Sequence, residues 1–166
     1  MPSSHFEYIF YSLCLRAEVP TFSLRQDFKQ VVGKRKLKNI DFICYHEKKI
    51  YLIDVKGSSK LRGDTKVSIE DIETMRALKE MYGKNAEGLF VYLWVKKKID
   101  IEPKEDLLLQ KFRVKAIDLN TFQNDMTQQK GWGGKYYRCG ASMLKNIWEY
   151  IPDFGDLIER PLSTLF

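Results

Sequence analysis

Two apolar segments separated by a short polar turn constrain the fold more than any other part of the sequence. They lie in KNIDFICYHEKKIYLIDVKG, residues 38–57, where the turn HEKK stands between Tyr45 and Ile50. Each segment has the length of a strand and carries one carboxylate, Asp41 in the first and Asp54 in the second. The pattern predicts a β-hairpin.

The length of the turn also predicts the register of this hairpin. If Tyr45 pairs with Ile50, the numbers of opposing residues sum to 95, and Asp41 lies opposite Asp54 with Cβ atoms about 4.5–5.5 Å apart. Lys56 projects from the same face as Asp54 because strand side chains alternate. The other face is predicted to be wholly apolar and to consist of Ile40, Phe42, Cys44, Tyr51, Ile53 and Val55.

Two neighbouring carboxylates require a cation, because burying an unpaired ion costs several kcal/mol. A hard divalent ion would satisfy both, since Mg²⁺ takes oxygen ligands and keeps several waters. Such an ion polarises a phosphoryl oxygen and lowers the pKa of a bound water. Lys56 would orient or activate that water, or hold the phosphate. The alternative is a structural Asp–Lys pair at the end of a sheet.

These residues resemble a known family of enzymes. IDF at Asp41, IDVKG at Asp54 and Lys56, and a preceding helix that carries Glu7 look like the core of the PD-(D/E)XK nuclease superfamily over about Ser4 to Val95. The resemblance implies a restriction-endonuclease-like αβββαβ core and a Mg²⁺-dependent endonuclease, with Mn²⁺ as an alternative ion. It further implies a set of site residues, with Lys56 serving the water and the metal bound by Asp41, Asp54, Glu7 and Val55.

The chain departs from the family pattern at two points. Ile40 stands where the family name has proline, and no Gln-x-x-x-Tyr signature follows on the second predicted helix. The role of Glu7 is open, because its spacing from Ser4 is also that of a capping box. A glutamate on the first helix is, in addition, similar to archaeal Holliday-junction resolvases.

The positive charge is concentrated around the hairpin. Of the net charge of +6, Arg25 to Lys66 contributes 12 Lys and Arg against 5 Asp and Glu, while the rest of the chain has 16 against 17. A local basic field indicates a polyanionic partner, or a solvated surface. We expect DNA, with RNA left open, and the candidate phosphate contacts are Lys34, Arg35, Lys36, Ser58, Ser59, Lys60, Arg62 and Lys66. Trp132, Tyr136 and Tyr137 are candidates for base stacking or for packing of a tail on the core.

The remaining pattern predicts one mixed α/β domain, residues 1–166, in which a central mixed sheet is flanked by helices. The core covers about residues 4–119, with helices at about 4–17 and 69–82 and strands at Val19–Gln26, Glu87–Val95 and Phe112–Leu119. We expect loops at 32–38, 57–66 and 128–140, a short helix after Pro103, and a helical C-terminal extension at about 143–151. Asp118 ends a predicted strand and could be a further ligand, but is interpreted as a turn residue.

Several classes of protein are disfavoured by the sequence. Cys14, Cys44 and Cys139 form no CxxC pair, which favours reduced core thiols and disfavours a zinc site. The longest apolar run is too short to span a bilayer and the amino end has no basic signal-peptide head, so we expect a cytoplasmic protein without a membrane partner. Domains that cut both strands usually pair, which predicts a homodimer. A non-cleaving nucleic-acid-binding module and a structural or protein-interaction domain are the alternatives to a nuclease.

Overall fold

A six-stranded mixed sheet forms the centre of the protein. The structure is a computed structural model, and it describes residues 5–27, 29–58, 65–95, 112–131 and 134–155. The strands run across the sheet in the order β1 (Thr21–Ser23), β4 (Phe42–His46), β5 (Lys49–Ser58), β7 (Ala86–Val95), β8 (Phe112–Asp118) and β11 (Lys145–Asn146). Strands β5 and β7 are parallel, and the other neighbours are antiparallel. The short β1 lies at an edge, as Pro20 in this segment predicts.

The register of the β4–β5 hairpin is as predicted. The pairs run from Phe42 with Ile53 to His46 with Lys49, and each pair of residue numbers sums to 95. The predicted apolar face is confirmed for its five members from Phe42 to Val55, which pack in one core cluster. The prediction is wrong for Ile40, which packs in the cluster on the opposite side. The reason is a bend at Asp41, which ends the strand alternation one residue before β4 begins.

Helices cover both faces of the sheet. Helix α1 (His5–Arg16) buries Ile9, Phe10, Leu13 and Cys14 against one face. Helices α2 (Ile69–Tyr82) and α3 (Leu119–Asp125) cover the other face through a second apolar cluster. The predicted ends of α2 are confirmed, because Ser68 Oγ accepts the amide of Asp71 at 3.1 Å and Gly83 follows the helix with φ 93°. Such a positive φ favours glycine.

All three predicted loops contain strand residues. Most of the loop predicted at 32–38 lies in a small antiparallel hairpin of β2 (Gln30–Val32) and β3 (Arg35–Leu37), turned through Gly33 at φ 62°. The loop predicted at 57–66 begins in β5 and ends in β6 (Thr65–Ser68), and residues 59–64 lie outside the described ranges. The loop predicted at 128–140 contains most of β9 (Thr127–Gly131) and all of β10 (Gly134–Cys139), which form a three-stranded sheet with β6 in the order β6, β10, β9. The sequence signal fails at these places because Gly and polar residues in the strands mask the alternation that indicates a half-buried strand.

The predicted final α-helix is also wrong. Three 3-10 turns, Ala141–Met143, Ile147–Glu149 and Pro152–Phe154, occupy this segment together with β11. A capping box explains the break, since the amide of Asn146 donates to Glu149 Oε2 at 2.8 Å and starts a new turn there. Of the apolar residues behind the helix prediction, Ile147 and Ile151 are buried on the α1 side of the sheet and Leu144 on the α2 side, while Met143 and Trp148 are partly buried.

Other sequence expectations have mixed outcomes. The three cysteines are buried and none of them forms a disulfide, which confirms their prediction as reduced core thiols. In the described ranges, no helix combines the length and apolar character needed to cross a membrane. The cap at Ser4, the helix after Pro103 and the stacking candidate Trp132 lie outside the described residues.

Candidate active site

The carboxyl-terminal half of β5 carries the first two candidate residues. It extends beyond the end of β4, and Asp54, Val55 and Lys56 pair with residues 90–92 of β7. Alternation directs Asp54 and Lys56 toward the α2 side, and Lys56 Nζ lies 2.9 Å from Asp54 Oδ2. Both side chains are largely enclosed, with exposed fractions of 13% and 20%. The structure therefore brings together the acid and the amine that the sequence predicted.

Asp41 is fixed against this end of β5 by its own side chain. Its backbone amide donates to the carbonyl of Ile53 at 3.0 Å, and its Oδ2 atom accepts the amide of Val55 at 2.7 Å. The pairing of β4 with β5 ends at Phe42 and Ile53. Beyond it, the amide of Val55 is bound by the carboxylate of Asp41 and not by a backbone carbonyl. Asp41 is held beside Asp54 as a result, and Val55 contributes its amide to that arrangement.

The electrostatics of Asp41 are unusual for a carboxylate. Burial, followed by the negative charge of Asp54, raises its pKa from 3.8 to about 7, and the charge of Glu7 acts in the same direction. The hydrogen bond from Val55 and the charge of Lys56 oppose this rise but do not cancel it. Burial also raises the pKa of Asp54, against the effect of Lys56. In the described part of the chain, no basic group forms a salt bridge with Asp41.

Glu7 reaches this region from the first turns of α1. Its side chain is buried, and its effect on the pKa of Asp41 shows that the two carboxylates share one electrostatic environment. However, no three His, Cys, Asp or Glu residues within the described ranges are grouped so that they alone could hold a metal ion. The assignments of Glu7 and Val55 as metal ligands therefore stay predictions.

Sequence reasoning missed Asp71 as a member of this cluster. Lys56 Nζ lies 2.5 Å from Asp71 Oδ2, closer than it lies to Asp54. Lys38 Nζ approaches the other oxygen of Asp71 at 3.9 Å. The spacing of Ser68 and Asp71 is that of an N-terminal helix cap, and this local explanation hides the long-range contact. The signal that could have indicated the contact is the crossover, because α2 lies in the connection between the parallel strands β5 and β7 and such helices begin near the carboxyl end of the first strand.

The charges of this cluster stabilise the ionised form of Lys56. Burial alone would lower the pKa of Lys56, but the charges of Asp54 and Asp71 outweigh it and the pKa is raised. Burial likewise opposes ionisation of Asp71, and the attraction and hydrogen bond of Lys56 nevertheless lower its pKa. Lys56 is therefore an ammonium group at neutral pH, able to donate hydrogen bonds and unable to accept a proton.

The candidate phosphate contacts fall in two places. Lys34, Arg35 and Lys36 are exposed on the β2–β3 hairpin, which is separate from the central sheet. Lys66 is exposed on β6, and the hydroxyl of Tyr92, a residue of β7 paired with Lys56, donates to its carbonyl at 3.4 Å. The side chain of Ser58, and Ser59, Lys60 and Arg62, lie outside what the structure describes.

The small sheet next to the site displays further positive charge. Arg138 of β10 lies directly opposite Lys66, and both are exposed. Lys66 Nζ also lies 5.3 Å from the ring centre of Tyr136. Like charges directly opposite each other on neighbouring strands destabilise a sheet. The two residues place two exposed positive charges side by side on this sheet. The partly buried Tyr137 is directed to the other face and packs against the core on the α2 side.

Asp118 has a structural role at the start of α3. Its two carboxylate oxygens accept the amide of Thr121 at 2.8 Å and the hydroxyl of Tyr150 at 3.0 Å. These bonds outweigh the effect of burial and lower the pKa of Asp118. Asp118 is thus a helix cap instead of a simple turn residue.

Comparisons with known proteins identify the fold. No family model and no curated protein matches the chain. The chain is similar to Hjc, a Holliday junction resolvase from the archaeal hyperthermophile Archaeoglobus fulgidus, with a TM-score of 0.54 and 13% identity over 87% of this chain and 96% of that chain. It is also similar to a nuclease from a fusselovirus, with a TM-score of 0.47 and 17% identity over 92% and 91% of the two chains. The likeness to Hjc confirms the predicted restriction-endonuclease-like fold.

Proposed function

We propose that this chain is a metal-dependent nuclease that hydrolyses phosphodiester bonds of DNA. One observation carries the proposal: the ends of two adjacent strands hold Asp41, Asp54 and the ammonium of Lys56 in one enclosed cluster. The fold adds support, because the chain is similar to Hjc, a protein described as a Holliday junction resolvase. Hydrolysis of a phosphodiester needs the groups that this cluster offers, namely anionic metal ligands and a fixed cationic donor.

The donor set fits a hard divalent cation. Asp41 and Asp54 would hold Mg²⁺ or Mn²⁺, with waters completing the shell, because these ions prefer oxygen ligands. The rise in the pKa of Asp41 to about 7 is consistent with this assignment, since it comes from burial and then from the charge of Asp54, and a bound cation would favour the ionised form against both. Glu7 and Val55 are proposed as further ligands. When bound, the ion would lower the pKa of a water and offset charge on the phosphate.

Lys56 would act as a donor and a positive charge. Its raised pKa keeps it protonated, so it is proposed to orient the attacking water or to hold a phosphate oxygen, without removing a proton. The positive charge lies close to the proposed metal ligand, because Lys56 Nζ is 2.9 Å from Asp54 Oδ2. The water would then be oriented between the metal ligands and the ammonium.

DNA is the proposed substrate because of exposed basic groups on the small sheet next to the site and on the β2–β3 hairpin. Lys66 and Arg138 lie opposite each other on the small sheet, and Lys34, Arg35 and Lys36 project from the β2–β3 hairpin. Such groups bind the phosphate backbone without reading sequence. Tyr136, next to Lys66, offers a ring for a base that is not paired.

The test is a cleavage assay with several forms of DNA. Plasmid, four-way junction and single-stranded substrates are incubated with Mg²⁺, with Mn²⁺ and with EDTA. We expect cutting that needs the metal, that Asp54→Ala abolishes and that Lys56→Ala slows by about 10²–10³-fold. Lys48→Ala is the matched control, because Lys48 is an exposed lysine in the turn of the same hairpin. Cutting by Lys56→Ala at the wild-type rate would refute the assignment of Lys56. Binding of DNA without cutting by any metal would indicate a binding module.

A further inference from the structure

The first turn of α2 brings a third carboxylate to Lys56. The ammonium lies between Asp71 Oδ2 at 2.5 Å and Asp54 Oδ2 at 2.9 Å. Asp71 is enclosed to nearly the same degree as Asp54, with 14% and 13% of the side chain exposed. An exposed lysine is solvated by water and does not need two carboxylate partners. The pair of partners around this enclosed lysine therefore suggests a functional role.

We propose that Asp71 is a positioning residue that holds Lys56 in place when Asp54 binds the metal ion. This inference rests on the proposed nuclease function. Asp71 would touch neither the metal nor the DNA, and its effect on cleavage would pass through Lys56 alone.

The need for Asp71 follows from the competition for Asp54. A metal ion at Asp54 adds two positive charges close to the ammonium and repels it. The lysine side chain is long and has several rotatable bonds, so it would move away if Asp54 were its only partner. A second carboxylate in contact with the ammonium offsets this repulsion. Asp71 can supply it, because it contacts Lys56 Nζ from helix α2, whereas Asp54 contacts the same nitrogen from strand β5.

Asp71 is itself held firmly enough for this role. Its amide donates to Ser68 Oγ at 3.1 Å at the start of α2. The next residue, Ile72, and Met75 are buried and anchor the helix to the sheet. Lys38 Nζ, at 3.9 Å from Asp71 Oδ1, adds a second positive charge on the outer side. The carboxylate is therefore oriented by a packed helix and not by a loop.

The competing explanation is that Asp71 only stabilises α2. An acid in the first turn of a helix interacts favourably with the helix dipole and with a nearby cation. A purely structural role would lower stability on substitution and would affect cleavage equally whether or not Lys56 is present. Positioning makes a different prediction, because its effect disappears once Lys56 is removed.

A double-mutant cycle separates the two explanations. Single-turnover cleavage at saturating DNA and Mg²⁺ is measured for the wild type, Asp71→Ala, Lys56→Ala and the double variant. We expect Asp71→Ala to slow cleavage by about tenfold or more, the usual size of a lost hydrogen bond to a charged group. In the Lys56→Ala background the same change should have no further effect. Asp71→Asn, which keeps an acceptor and the shape, should recover part of the rate.

A second experiment measures Mg²⁺ binding through the melting temperature and does not depend on cleavage. The Mg²⁺ concentration that gives half of the metal-induced rise in melting temperature should increase in Asp71→Ala, because Lys56 is then left to compete for Asp54. The double variant should not show this increase. Glu70→Ala is the matched control, since Glu70 is an exposed acid in the same turn, and both measurements should match the wild type.

The outcomes distinguish this inference from the proposed function. If the wild type cuts DNA and the effects of Asp71→Ala and Lys56→Ala on the rate are additive, the positioning role is refuted and the nuclease remains. The same holds if Glu70→Ala slows cleavage as much as Asp71→Ala does, or if Asp71→Asn, correctly folded, recovers no rate. If the wild type cuts no substrate with any metal, the proposed function and the positioning role are both refuted.

Discussion

The buried carboxyl of Asp41 should make the stability of the metal-free protein fall as the pH rises. Its pKa is raised from 3.8 to about 7, chiefly by burial and by the charge of Asp54. Between these two pH values the folded state holds a proton that the unfolded state has released. Stability therefore decreases with pH in this window, and the decrease is complete above about pH 7.

The size of the effect follows from the displacement of the pKa. One pKa unit corresponds to about 1.4 kcal/mol, so the displacement corresponds to about 4 kcal/mol of the free energy of unfolding. Asp41→Asn removes the titration and keeps an oxygen that can accept the amide of Val55. We expect the variant to match the wild type near pH 4 and to exceed its stability by up to about 4 kcal/mol at pH 8.

Urea denaturation in EDTA at several pH values between 4 and 8 measures this difference. Other carboxyls contribute to the absolute curve, since the pKa of Asp54 is raised while those of Asp71 and Asp118 are lowered. Comparison of wild type with variant largely cancels their contributions. Glu70→Gln, at an exposed position, controls for the loss of one charge. Parallel stability curves for wild type and Asp41→Asn across this range would refute the reasoning.

Two further predictions concern packing and DNA binding. Gly88→Ala should lower the free energy of unfolding by about 1–3 kcal/mol, measured by urea denaturation. The reason is that the new Cβ would lie 2.6 Å from Cγ of the fully buried Met75. Unchanged stability would show that Met75 can move. The Lys66→Ala, Arg138→Ala double variant should reduce the slope of log K for DNA binding against log salt by about 2. An unaltered slope would exclude phosphate contacts at these two residues.

The hairpin of the site was predictable because its constraints are local. The HEKK turn sets the register, and the period of two places Asp54 and Lys56 on one face. The same local rule failed at Ile40, because Asp41 uses its side chain in place of a continued ladder and bends the chain. A side chain that substitutes for backbone pairing leaves no periodic signal, so the sequence could not indicate this bend.

The missed features depend on contacts between distant segments. Asp71 reaches Lys56 only because β5 and β7 are parallel and α2 crosses between them. The middle strand of the small sheet, β10, pairs with β6, which lies far away in the sequence. In the C-terminal segment, the apolar spacing around Ile147 fits both a helix and a series of turns. Pairing of β11 with β8 decides between them.

The energetics of Asp41 connect the fold to the proposed chemistry. A carboxyl whose pKa is raised to about 7 destabilises the folded state at neutral pH, and an apolar residue there would avoid this loss. The structure nevertheless fixes the group through the amide of Val55 beside a second acid. A bound cation would favour the charged form of both acids and recover the lost stability. This recovery should be larger at pH 8 than at pH 5, where Asp41 is protonated and a metal ion must displace its proton.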